Sequence, residues 1–363
     1  MGWHSFEREG PMQIPDFKRR DFLKTLAVLT PASAVLRSVA DEVQAGENQT
    51  GLNSKPTFAQ SHPYVPVAGW PKLPQNLLLG AVCGIALNKD RVFVLHRGNP
   101  PVLCLDRDGH LVQSWGNDVI AIGHYIRVDP EGHLWITDIE HHQVLKFTTE
   151  GRLILALGRK DRPGTGPDQF NEPTDVAVSP SGEFYVSDGY GNSRLMKFSA
   201  AGKLLHIWGH KGRNPGEFDT PHALCLDTNG KLYLSDRGNS RIQVFDGDGK
   251  FLEEWRDYPP IDGLAFGSSQ SLGLPCGPEI CGDGFGLYAA TGRGNEIFRL
   301  RSGGVVLESW GGPRSTESEV QSGYVPPLGS FNVAHGIAVD EQGSLYVGEV
   351  RSRRIQKLVR QLA

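Results

Sequence analysis

Three histidines, His124, His222 and His335, each open a near-copy of one apolar stretch. The six copies begin at Cys83, His124, Thr174, His222, Asp262 and His335, so histidine takes the second, fourth and sixth and no other. Three neutral imidazoles brought to one point leave an open fourth position on a bound ion, which is how catalytic zinc is held. A lone histidine in such a place is ordinarily a channel residue bonded to backbone or water. The strict alternation is what favours a metal here. A second set of equivalent positions, after the next strand, reads Arg97, Ile139, Gly189, Arg237, Gly292 and Val350, with Tyr190 one residue beyond the third. Around a metal, Arg97 and Arg237 would form an anion clamp and Tyr190 a proton-transfer group.

For these residues to meet, the copies must be arranged in a ring. The fullest copy, residues 219–245, carries an apolar strand with Leu224 and Leu226, then the turn Asp227-Thr228-Asn229-Gly230 and the strand Leu232–Ser235. A third strand, Arg241–Phe245, and a fourth, Lys250–Trp255, follow a similar pattern of alternation and turns. Steps of roughly 40–50 residues, with a longer last one, predict an all-β fold, a six-bladed β-propeller. Its first strands would line a central channel, setting alternate blades about 120° apart. Trp115-Gly116, Trp208-Gly209 and Trp310-Gly311, with Leu157-Gly158 as a variant, mark the ends of blades. The sixth copy has no fourth strand after Leu358, so Tyr64–Gly69 is expected to supply it. An N-terminal strand would then close the ring and remove the exposed edge.

The chain has 363 residues, 39% of them hydrophobic, and its 45 glycines and 24 prolines suit a turn-rich all-β protein. Residues 1–40 read as a twin-arginine export signal: Arg19-Arg20-Asp21-Phe22-Leu23-Lys24, the apolar run Thr25–Leu36, then the small-residue site Ser38-Val39-Ala40. That run is too short to span a bilayer. Residues 41–60 are polar and read as a flexible tether, and 61–363 as the propeller. An exported product, periplasmic or extracellular, without a stable membrane span is expected. A formal net charge of −4 with no clustered Lys/Arg face argues against nucleic acid as a partner. Cys83, Cys104 and Cys225 fall in strand patterns as small buried hydrophobes, whereas Cys276 and Cys281 flank a short loop that a disulfide could close.

The repeats, with Tyr185-Val186-Ser187-Asp188 and Asn239-Ser240-Arg241-Ile242-Gln243 as examples, resemble NHL-type propeller repeats over residues 60–360. More narrowly, Leu95–Gly98, Trp135–Val144, Gln169–Val178, Val186–Arg194, Pro221-His222 and Asp236-Arg237 resemble the catalytic core of the peptidyl-α-hydroxyglycine α-amidating lyases. The resemblance implies that His124, His222 and His335 bind zinc. It makes Tyr190 the base on the substrate hydroxyl with Arg237 beside it, and places Arg97 on the oxygen-rich end of the substrate. It further implies a zinc-dependent carbon–nitrogen lyase that cleaves a carbinolamide, a small molecule or peptide held in the channel, into an amide and glyoxylate. Calcium and the native peptide substrate stay open where the zinc carries over: Gly336 stands where the family has an acidic calcium ligand next to the third histidine. Val333 likewise replaces the family's methionine, and Gly191 a disulfide cysteine. Two other readings remain open. One is a non-catalytic propeller that binds a protein or glycan through loops 267–284 and 311–330, and the other a propeller zinc hydrolase acting on esters or lactones. Tyr190 together with the two arginines favours the lyase.

Overall fold

The computed structural model describes residues 64–267, 286–312 and 324–361. Among them, twenty-four strands form six four-stranded sheets, all antiparallel within themselves. The segments expected to be an export signal and a tether, and Cys276 and Cys281, lie outside the described residues, within which no helix is long and apolar enough to cross a membrane.

Each sheet is a blade whose first three strands are largely buried and whose fourth faces the rim. In blade four, Pro221–Leu226, Leu232–Asp236 and Arg241–Phe245 are almost wholly buried, whereas Phe251–Trp255 is mostly partly exposed and buries only Trp255. The turns follow from Asp and Gly chemistry. The Asp129 carboxylate accepts the N–H groups of Glu131 and His133, and Gly132 takes φ +88° to return the chain. The first strands Val82–Asn88, Gly123–Val128, Asp175–Val178, Pro221–Leu226, Ile261–Phe266 and Ala334–Val339 touch their neighbours in a closed cycle, the last against the first. Apolar side chains pack as six clusters, each between two adjacent sheets, so burial itself fixes the angle between blades. Cys83, Cys104 and Cys225 are buried in these clusters as free thiols.

The ring closes as expected, with a shorter strand. Tyr64–Pro66 pairs with Arg354–Arg360, Tyr64 opposite Arg360 and Pro66 opposite Leu358. One further bond, Val67 N–H to the Lys357 carbonyl at 2.8 Å, follows before Gly69 at φ +72° turns the chain away. Tyr64 stacks on Trp310 at 4.8 Å and donates to the Gly343 carbonyl, pinning the seam from both sides.

The Ser-Asp…Asn-Ser-Arg pattern of the repeats has a mechanical meaning. In blade four the buried Asp236 carboxylate accepts from Asp219 N–H at 2.7 Å, from Asn239 at 2.8 Å and from Arg241 Nε at 2.8 Å. The Arg241 guanidinium then donates to the carbonyls of Arg213, Asn214 and Glu217, on the loop leading into the histidine strand. Asp188 with Arg194 and Glu349 with Arg354 repeat the arrangement in blades three and six. Both Asp236 and Arg241 side chains are fully buried. Arg241→Met should therefore strand a buried carboxylate and cost about 3–5 kcal/mol in a urea unfolding experiment. An unchanged midpoint would refute this account of the motif.

Candidate metal centre and active site

The three histidines are aimed inward by a break in strand pairing. In blade two Gly123 pairs with Asp138 and Tyr125 with Thr137, so His124 is the unpaired residue of a β-bulge. His222 between Pro221 and Ala223, and His335 between Ala334 and Gly336, are bulged in the same way. Bulges re-aim side chains, and here they turn each imidazole to the channel axis. Cys83 and Asp262 occupy the same bulge in blades one and five.

Each imidazole is then locked by the blade that follows it. Nδ1–H of His124 donates to the Thr174 carbonyl at 2.6 Å, that of His222 to Asp262 at 3.0 Å and that of His335 to Cys83 at 2.7 Å. A carbonyl can only accept, so Nδ1 carries the proton and Nε2 presents a lone pair. The rings lie 4.7, 5.0 and 5.1 Å apart between centroids, and their ligating nitrogens fall within 4.8 Å of one another. Burial holds the His124 and His222 pKa values well below the ordinary range, with His335 pushing His124 the same way and Arg237 pushing His222. That of His335 is lowered by burial too, against the pull of Asp262. Three neutral, preoriented nitrogen donors around one point fit a zinc ion with an open position.

Tyr190, on the turn after Phe184–Asp188, brings its hydroxyl to 3.0 Å from both His124 Nε2 and His222 Nε2. One phenol proton can satisfy one of these acceptors at a time, which leaves lone pairs facing one another and a place for a cation. Arg237 reaches His222 Nε2 at 3.1 Å through Nη1, and its guanidinium carbon lies 5.2 Å from the centre of the Tyr190 ring. Arg97, exposed at the same mouth, opposes protonation of His124 and His335. The five buried or half-buried groups thus lie together, with Arg97 close enough to act on the histidines. Burial raises the Tyr190 pKa, reinforced by Asp262, and the opposing charges of Arg237 and Arg97 do not outweigh it. In the chain alone the phenol stays protonated.

Asp262 is a member of this site that sequence reasoning placed in the ring without giving it a role. Its buried carboxylate accepts from Arg237 Nη1 at 2.9 Å and lies 3.9 Å from His222 Nε2. The available signal was an acidic residue at a channel position directly between two histidine blades. The calcium of the resembling family does not fit. Gly336 has no side-chain ligand, and a Cβ there would lie 2.8–3.1 Å from the Gly84 backbone, where blades six and one touch.

The NHL repeat family model matches residues 170–198 and 218–245. NHL repeat-containing protein 3 of Mus musculus is 32% identical over 310 residues, covering 80% of this chain and 82% of that protein. Peptidyl-alpha-hydroxyglycine alpha-amidating lyase 2 of Drosophila melanogaster is 28% identical over 379 residues, covering 94% and 87%. Peptidyl-glycine alpha-amidating monooxygenase B of Xenopus laevis is 29% identical over 322 residues and covers 79% of this chain. The chain spans about a third of that longer relative, 34% of its length. Among solved structures, a streptogramin B lyase superposes with a TM-score of 0.55 at 16% identity, over 79% of this chain and 95% of that one, a likeness of fold. With six sheets of the matching type and a relative covered along most of both lengths, the chain belongs to the NHL-repeat family of six-bladed β-propellers.

Proposed function

We propose that this protein is an exported zinc-dependent lyase that cleaves a carbinolamide of the peptidyl-α-hydroxyglycine type into an amide and glyoxylate. The observation that carries the reading is the meeting of three fixed Nε2 lone pairs with the Tyr190 hydroxyl and the Arg237 guanidinium at one end of the channel. Names alone would not carry it, since propellers of this family also serve as scaffolds.

The substrate's carboxylate would sit on Arg97, an exposed residue whose planar guanidinium suits a two-pronged pair with a carboxylate. This places its hydroxyl toward Tyr190, which takes the hydroxyl proton. The oxygen's electron pair then forms the carbonyl of glyoxylate as the C–N bond breaks, and the nitrogen receives that bond's electrons and a proton to leave as the amide. Tyr190, 3.0 Å from two imidazoles, is placed to return the proton it removed. Arg237 would stabilise negative charge on the phenol and on the substrate oxygen as it loses its proton, and Asp262 holds Arg237 in register. A zinc ion on His124, His222 and His335 would act as a Lewis acid on the substrate oxygen and add the positive charge that brings the buried phenol within reach of ionisation.

The test pairs metal analysis of the purified protein with glyoxylate release from an α-hydroxyglycyl peptide. Zinc without glyoxylate would exclude the amidating reaction, and neither zinc nor glyoxylate would favour the scaffold. Asp262→Asn keeps the shape and removes the charge that fixes Arg237. It should cut turnover on the order of 10- to 100-fold with zinc content intact, and wild-type rates would remove Asp262 from the mechanism. For export, changing Arg19 and Arg20 together to Lys should retain the precursor in the cytoplasm. Mature protein outside the cell would overturn the twin-arginine reading.

A further inference from the structure

Below the histidines the channel is not open. Arg127, three residues after His124 on the same strand, extends across it. Its Nε and Nη2 form a two-pronged pair with the Asp175 carboxylate of blade three at 3.0 and 2.6 Å. Nη2 also donates to the Leu224 carbonyl of blade four at 2.8 Å, and Nη1 to the Leu264 carbonyl of blade five at 3.0 Å. One guanidinium therefore joins four of the six inner strands. Asp175 is fully buried and is further fixed by the N–H groups of Val176 and Leu224, both at 2.8 Å. The Tyr125 ring lies between this layer and the metal centre, with the guanidinium carbon 4.3 Å from its centre on one side and the His335 ring 5.9 Å away on the other.

A buried carboxylate ringed by inward-pointing carbonyls is a cation site by composition. We propose that Arg127 is the permanent occupant of that site, a structural cation supplied by the chain itself, so the propeller's integrity does not depend on a divalent ion. Gly336, with no ligand to offer and no room for one against Gly84, agrees with a channel that no longer binds calcium. The planar fork suits the task, because it satisfies a carboxylate and two carbonyls in separate directions at once. The inference stands whether or not the protein is a lyase.

Thermal melting of the full chain, in EGTA and in millimolar calcium, tests it. The wild type should melt at the same temperature in both. Arg127→Ala should lower the midpoint by roughly 10 °C, since it strands a buried carboxylate. Calcium should then raise that midpoint with concentration, because an ion that binds only the folded state stabilises it by mass action. The double variant Arg127→Ala with Asp175→Asn should show no such response. Should Arg127→Ala fail to fold, Arg127→Lys keeps a charge without the fork and should melt below wild type with no response to calcium. A wild-type midpoint that rises with calcium would overturn the proposal. So would an Arg127→Ala protein that melts like wild type or ignores calcium.

Discussion

Tyr190→Phe protein is expected to keep its zinc and its melting temperature while losing turnover by a factor on the order of 10²–10⁴, the range for removal of a general acid–base group. The substitution removes one oxygen and leaves the ring under Arg237 in place. That oxygen stands 3.0 Å from two imidazoles and donates nowhere else among the described contacts, so its loss should not disturb the blade that carries it. A structural role for Tyr190 would give the reverse, a lowered midpoint with turnover little changed. Glyoxylate release and thermal unfolding, measured on one preparation, separate the two outcomes. Wild-type turnover in the variant would end the proposed mechanism.

The second large effect concerns the metal. Purified protein should hold about one zinc per chain, and His222→Ala should lose most of it, because two imidazoles leave the ion under-coordinated. His222 is fully buried and also meets Arg237 and Tyr190, so its removal loosens the clamp and the proton carrier together. His124→Ala and His335→Ala should lose zinc as well, since each imidazole is fixed separately through Nδ1 by a backbone carbonyl and supplies one of the three ring nitrogens. Full zinc in all three single variants would show that the ring binds no metal.

The repeat was legible because three of every four strands are buried and so constrained to the same apolar pattern, while Asp and Gly recur wherever the chain turns back. Equivalent positions in equivalent blades face one axis, which made the histidine ring visible without coordinates. The bulges were not visible, because a one-residue break in pairing leaves no mark on an alternating sequence. Asp262 and Arg127 were missed for a related reason. Their partners, Arg237 for one and Asp175, Leu224 and Leu264 for the other, come from different strands, and two of these partners are main-chain carbonyls that every residue possesses.

The seam between Tyr64–Pro66 and Arg354–Arg360 also sets an order of folding. Blades one to five are each built from consecutive strands, so they are able to assemble as the chain leaves the ribosome. The sixth must wait for strands from opposite ends of the domain, the most distant pairing in the chain and the slowest kind to form. Until residues 354–360 emerge, the last sheet lacks its third strand and Tyr64–Pro66 lacks its partner, so the apolar faces that this sheet covers on its two neighbours stay open. Ring closure is therefore a late event, and a zinc site that draws His335 from the last sheet would be completed with it, so a chain cut short in that sheet would forfeit both.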